Sequence, residues 1–309
     1  MLRNIYIYYN DLIDIKHKKS YLSRMKPKQI KPYLYLLPAL LPALLFVYYP
    51  FIRNAVSSFF DITIKGELAA FRGFGNYASL FTDPVYWESL KNTFIFIIMF
   101  VPVNTAVVAA AVLLSSGKGK LSAFSQTVFI LPMTLGLSSA ALLFRFMFNE
   151  TNGIINSIFR HDFPWTSSPL AAMLSLVFLG VFLDLALDYL LLLSAYRNLD
   201  RGPVEAAMLD GCGRAGLFFR IKVPMMLPTL SFIVFMAVKD ALLICAPVMV
   251  MTEGGPARST QTIVYYYYLS AFKNAAFSKA AAISMTVFIL AGILILAYKE
   301  FEKRRITYR

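Results

Sequence analysis

The chain has 309 residues, of which 58% are hydrophobic and 15% charged, and its mean hydropathy is +0.62. Soluble domains carry about 25% charged residues, so this composition excludes an ordinary water-soluble globule and points to the bilayer as solvent. The net charge of +13 does not indicate nucleic acid, because Lys and Arg sit in a few short segments between long apolar runs, the pattern of cytoplasmic loops.

In chain order, residues 1–32 form a basic arm that includes Arg3, Lys16, Lys18, Lys19 and Lys31. It reads as a cytoplasmic topology signal, with contact to anionic headgroups as the alternative. The apolar run from Tyr33 to about Phe60 exceeds a signal-peptide core and reads as a retained first span. A span needs roughly 20 apolar residues, and further stretches qualify near 93–115, 124–148, 170–196, 225–251 and 279–299. None alternates as barrel strands do. The expected fold is all-α: a polytopic bundle of six transmembrane helices over 33–299, followed by a basic tail at 300–309. Pro42, Pro50, Pro102, Pro132 and Pro247 fall inside spans and mark expected kinks.

Charge sets the orientation. The arm, the loop near 116–121, the loop 197–222 and the tail with Lys299 together carry twenty Lys and Arg, whereas the opposite connections carry six. Both termini are therefore expected in the cytoplasm. Trp87 and Trp165 fall near outer boundaries, where amphipathic rings prefer to sit. Gly66 to Asn76 and Asp162 to Pro169 read as outer loops. Cys212 and Cys245, and His17 and His161, are too few and too scattered to suggest a disulfide framework or a metal centre.

The loop at 199–224 differs from the others. Gly202-Pro203 reads as a helix start, with a short helix from Pro203 to about Leu209. Asp210, Gly211 and Gly213 break it. A second short helix is expected to run to Lys222, with Pro224 opening the fifth span. Small residues (Ala206, Ala207) beside bulky ones (Met208, Leu209, Phe218, Phe219) suit docking to a soluble subunit, and an interfacial helix on lipid is the other reading.

Glu205-Ala206-Ala207, then Gly211, then Ile221-Lys222-Val223-Pro224, resembles the EAA motif of ABC importer permeases. Val223 replaces the usual Leu, and Asp210 before Gly211 matches the sugar-permease form. Cys212-Gly213 and Asp200-Arg201-Gly202 depart from the usual pattern. Thr252-Glu253-Gly254-Gly255-Pro256, with Ser259-Thr260, Tyr265 to Tyr268 and Ala271-Phe272, resembles the outer loop of the glycerol-phosphate and maltose type. Gly254, Gly255 and Pro256 also specify a tight turn. Asn92-Thr93, Leu131-Pro132 and Gly153 to Asn156 are weaker matches.

The resemblance implies one half of a pore in a bacterial or archaeal cytoplasmic membrane. A second homologous permease would supply the other half, giving a heterodimer. Two cytoplasmic ATPases would dock on the paired loops, and an extracytoplasmic binding protein would deliver a sugar or related polar solute. Glu205 would anchor the loop against the ATPase, and Gly211 would permit its turn. The chain lacks a phosphate-loop motif, so no cofactor is expected on it and ATP-Mg is expected in the partner.

Ionisable groups inside spans cost roughly 2.5–3.5 kcal/mol each, which directs attention to Arg145, Asp184, Asp188, Lys239 and Asp240. Asp184 and Asp188 share a helix face, with Tyr189 and Phe182 nearby. A sugar-path role, with carboxylates for hydroxyls and aromatics for ring faces, is one reading. Internal pairing of an acid with Arg145 or Lys239 is the other. An ion-coupled secondary transporter would also use buried acids, but six spans without an evident inverted repeat suit it poorly. A membrane-embedded enzyme using Asp184 with Asp188 would lack an accompanying His, Ser or Cys constellation.

Overall fold

The computed structural model describes residues 30–305, apart from Lys118 and His161. Most of the predicted basic arm, including His17, and the last residues of the tail lie outside the described residues. The described chain divides into a unit ending at Ala55 and a unit beginning at Val56. The first unit holds α1 (Ile30–Ala43), a π turn (Leu44–Tyr48) and most of α2 (Tyr49–Ser57). Its large apolar side chains, among them Leu45, Phe46 and Tyr48, point outward, as a helix solvated by lipid requires.

The second unit opens with a hairpin, β1 (Phe60–Ile62) antiparallel to β2 (Leu68–Phe71), followed by α3 (Gly75–Phe81). The sequence reading treated this stretch as loop. It is pinned at two points: Asn76 donates to the carbonyls of Ser58 and Phe60, and the Ile62 amide donates to Ser278 Oγ. Then come α4 (Pro84–Ser115), α5 (Lys120–Ile130), a 3₁₀ turn (Leu131–Thr134), α6 (Leu137–Met147), α7 (Ile154–Phe159) and α8 (Pro169–Arg197). After α9 (Arg201–Leu209) and α10 (Arg214–Gly216), a π turn (Leu217–Lys222) leads to α11 (Val223–Met225) and α12 (Leu227–Leu242). A π turn (Val248–Thr252), α13 (Ile263–Tyr268), a π turn (Leu269–Lys273) and α14 (Phe277–Arg305) complete the chain.

Among the described residues, four helical stretches are long and apolar enough to cross a membrane: Tyr35–Ser57, α4, α8 and Phe277–Arg304. The number is six when each of two bent pairs is taken as one span. The third predicted span is not continuous, because α5 with its 3₁₀ turn meets α6 at 106°. Pro132 ends the regular α-helix at Ile130, because it brings no amide hydrogen to the ladder and its ring collides with the turn before it. Leu135 and Gly136 are then extended. The fifth predicted span is also interrupted. The Arg214–Met225 stretch meets α12 at 72°, so the long helix opens at Leu227 beside Pro228, not at Pro224 as expected. It ends at Leu242, and Ile244 and Cys245 are non-helical. Pro247 stands four residues past Leu243 and forbids an unbroken helix there.

The centre of the second unit is α8 packed on α4, with α12 against both. Burial from water does not drive helix association in lipid; close packing does, and small residues permit it. Gly180 shows this directly, since a Cβ there would stand 2.9 Å from the Phe100 ring. Phe100 in turn stacks on Phe96 at 5.4 Å between centroids. Deeper along the same pair, Tyr189 is fully buried and donates to Ser115 Oγ at 2.7 Å.

Candidate functional site

The loop joining α8 to α12 is built from two short elements around one glycine. Asp200 caps α9, its carboxylate accepting from the Gly202 amide at 3.0 Å. The helix therefore begins at Arg201, and Pro203 lies inside its first turn rather than opening it, where a missing amide hydrogen costs nothing. At the other end Gly211 takes φ +77°. The Gly211 amide reaches Met208 O at 3.1 Å and the Cys212 amide reaches Ala207 O at 3.0 Å, the paired bonds of a Schellman stop. Asp210 is the last residue before that turn.

α9 has no buried residue. Glu205 and Ala206 are exposed, Ala207 is half-buried, and Leu209 is 90% and Phe219 69% exposed. Ile221 and Pro224 lie on the return path to α12, where Lys222 Nζ donates to Tyr196 OH at 2.9 Å and tethers the loop to α8. Of the motif residues, Glu205, Ala206, Asp210, Gly211 and Pro224 face outward, and Ala207 and Ile221 are half-buried.

The span charges separate into distinct places. Asp184 and Asp240 line a cavity of about 360 Å³ between α4, α8 and the end of α12. Its walls include Phe96, Phe100, Gly180 and Cys245. Asp240 pairs with Lys239 at 2.8 Å. Asp188 is buried one turn below Asp184 and accepts from Asn104 Nδ2 at 2.7 Å. Asn104 was not singled out from the sequence, although an amide inside an apolar run is a readable signal.

Two expectations fail. Tyr189 does not join the acids, because its ring is turned into the packing with Phe129 and its hydroxyl is held by Ser115. Arg145 does not pair with an acid of α8. It donates to Val250 O at 2.8 Å and to Glu253 Oε1 at 3.1 Å, and is half-exposed. Arg145 stands in the last turn of α6, which packs against the π turn at 248–252.

The 252–263 segment is folded on itself and locked to α4. Gly255 N donates to Thr252 O, and Ser259 N to Pro256 O, confirming the turns at Gly254-Gly255-Pro256. Asn92 donates to Arg258 O at 2.7 Å, Gln261 donates to Ser89 Oγ at 3.0 Å, and the Ile263 amide donates to Thr93 Oγ1 at 2.9 Å. Asn92 and Thr93 thereby acquire a physical role. Beside them Asp83 caps α4 and accepts from Tyr266 OH and Lys279 Nζ. Burial works to raise the Asp83 carboxyl, but the bonds from Lys279, Tyr266 and the Val85 amide hold it below its ordinary value. Glu150 is similar: burial opposes its ionisation, and bonds from Ser167 and Thr166 outweigh that and lower it.

Interrupted membrane helices around a cavity, with an exposed helical platform at one end, define the class: a polytopic membrane permease. No family model matches the chain. It is 32% identical over 284 residues to the probable ABC transporter permease protein YurN of Bacillus subtilis, covering 89% of this chain and 97% of that protein. It is 30% identical over 275 residues to the lactose transport system permease protein LacF of Rhizobium radiobacter, covering 86% and 91%. The sn-glycerol-3-phosphate transport system permease protein UgpA of Shigella flexneri is 28% identical over 285 residues, covering 90% and 96%. Among solved structures, a chain of a bacterial ABC transporter involved in the import of the acidic polysaccharide alginate superposes with a TM-score of 0.78 at 18% identity, covering 90% and 98%. The chain belongs to the permease proteins of ABC transporters.

Proposed function

We propose that this chain is half of the translocation pore of an ATP-driven importer for a sugar or related polyhydroxyl solute. The observation that carries the reading is the α9 platform: exposed Glu205, Ala206 and Leu209, half-buried Ala207 and the Gly211 turn together present one carboxylate beside small and apolar side chains, as a docking helix requires. A cytoplasmic ATPase that binds and hydrolyses ATP-Mg would seat there, with Glu205 as polar anchor and Ile221 and Pro224 fixing the loop's return. Both termini lie in the cytoplasm and the two bent pairs each count as a span, giving six. The chain itself performs no catalysis.

The relatives support the solute class and the partners. Their names include lactose and sn-glycerol-3-phosphate transport. The second alginate structure holds that transporter with an alginate pentasaccharide-bound periplasmic protein. By the same logic this chain receives its solute from an extracytoplasmic binding protein through the 252–263 segment, in a bacterial or archaeal cytoplasmic membrane, paired with a second permease.

The test is Glu205→Lys in the full transporter. ATPase co-purification and ATP-driven sugar uptake should fall together at unchanged permease levels. Uptake and co-purification both equal to wild type would overturn the docking role.

A further inference from the structure

The relatives differ in solute charge: lactose is neutral, glycerol phosphate and alginate are anionic. The cavity wall in this chain takes a side. It is lined by two carboxylates, Asp184 and Asp240, and by no Lys, Arg or His among the described residues. Asp184 makes no hydrogen bond to a described residue and faces the space as an unpartnered carboxyl, 4 residues from Asp188 and close to Asp240. Asp188 stands behind it, and its partner Asn104 is fully buried with its Oδ1 unpaired. Among the described residues the cluster thus holds three carboxyl groups, Asp184, Asp188 and Asp240, and one ammonium, Lys239, which is drawn to Asp240. Arg145, the other span cation considered, is committed to Val250 O and Glu253. The remaining wall is apolar, with the stacked Phe96 and Phe100 rings offering flat faces.

We propose that this cavity is a charge filter: it passes uncharged or amine-bearing carbohydrates and rejects solutes carrying phosphate or carboxylate groups, with Asp184 and Asp240 as the specificity-determining residues. This rests on the reading of the chain as a solute pore. A low-dielectric wall concentrates the field of its charges. An anionic group entering here meets the carboxyl groups and finds the one nearby ammonium, Lys239, already paired with Asp240, while hydroxyl and ammonium groups find acceptors and the sugar's apolar face finds the rings.

Cys245 lies on the same wall and is a built-in reporter. In the assembled transporter, its modification rate is measured with a trimethylammonium-ethyl and a sulfonato-ethyl methanethiosulfonate of similar size, and resolved from Cys212 by peptide mass spectrometry. Each rate is divided by that of the same reagent with a free small thiol. The filter predicts a corrected cation-over-anion ratio of at least about threefold, falling toward one in Asp184→Asn and Asp240→Asn. Ala246→Cys places a second reporter on the same wall. A corrected ratio near one in wild type, or a ratio unmoved by both substitutions at both reporters, overturns the filter. ATP-driven uptake in the same preparations separates the two readings. Uptake with a charge-blind cavity removes the filter alone, and a charged cavity without uptake removes the transport role.

Discussion

Gly211 gives the most direct quantitative test of the docking platform. Its φ of +77° lies where a side chain is strained, and a Cβ placed there meets nothing within 4 Å. The whole penalty of Gly211→Ala is therefore backbone strain, roughly 1–2 kcal/mol for a non-glycine residue in the left-handed region. The equilibrium between the Schellman turn and conformations that escape the strain then shifts about five- to thirty-fold away from the docking-competent turn. Asparagine visits this region more readily than alanine, and valine is worse because of its branched Cβ. The expected order of ATPase affinity and ATP-driven uptake is glycine, asparagine, alanine, valine. The assay is titration of the purified ATPase subunit onto the permease, with uptake normalised to permease level. A Gly211→Ala variant that binds and transports like wild type, or one weaker than Gly211→Val, would refute the argument that this turn shapes the surface.

The remaining predictions concern the packing that holds the pore. Asp83→Asn removes the ionised cap from α4 and the partner of Lys279. The side chain of Asp83 is 15% and that of Lys279 37% exposed, so solvent screening limits the loss to roughly 1–3 kcal/mol. Because the folded Asp83 carboxyl is lowered from 3.8, its contribution is full above that value and disappears as pH falls through the folded one. The gap between wild-type and Asp83→Asn melting temperatures in detergent should therefore close only on acidification below 3.8, and a gap that instead closes with rising pH would contradict this. Gly180→Ala drives a methyl to 2.9 Å from Phe100, which overpacking costs at roughly 1–3 kcal/mol. A lower melting temperature and reduced uptake should follow, and an unchanged melting temperature would show that α4 and α8 can part without cost.

Much of this was legible in the sequence because lipid enforces a simple rule: long apolar runs become helices. α8 and α14 extend the expected 170–196 and 279–299 by a few residues and α4 starts at Pro84, about two and a half turns before 93, since polar starts such as Asp83-Pro84 belong to the helix by capping rather than by hydropathy. The Gly211 stop was readable for the same local reason. What local pattern does not encode is the partner of each charge. Arg145 and Glu253 are 108 positions apart, and Asn104 and Asp188 are 84 apart. Tyr189 follows Asp188 directly, yet a helix turns about 100° per residue, and that turn takes it from the acids toward Ser115. Pro132 and Pro247 read as kinks; the chain past Pro132 turns by 106° at the extended Leu135-Gly136 pair, which is a change of direction rather than a flexure.

On the proposed pore reading, the positions of the helix interruptions bear on where solute would pass. In hydrocarbon an unpaired backbone group costs several kcal/mol, so non-helical chain at membrane depth survives only where it is buried in protein or borders a polar space. The break at Leu135–Gly136 is followed at once by Leu137, and the second break runs from Leu243 to Cys245. Leu137, Leu243, Ile244 and Cys245 all line the same cavity, opposite Asp184. Two helices thus open their backbones at one space, and the carboxylates reach that space from α8 and α12. Backbone and side chains mark it independently, the first through proline placement and the second through the cost of charge. On the proposed reading, a solute path through this unit would run along that space.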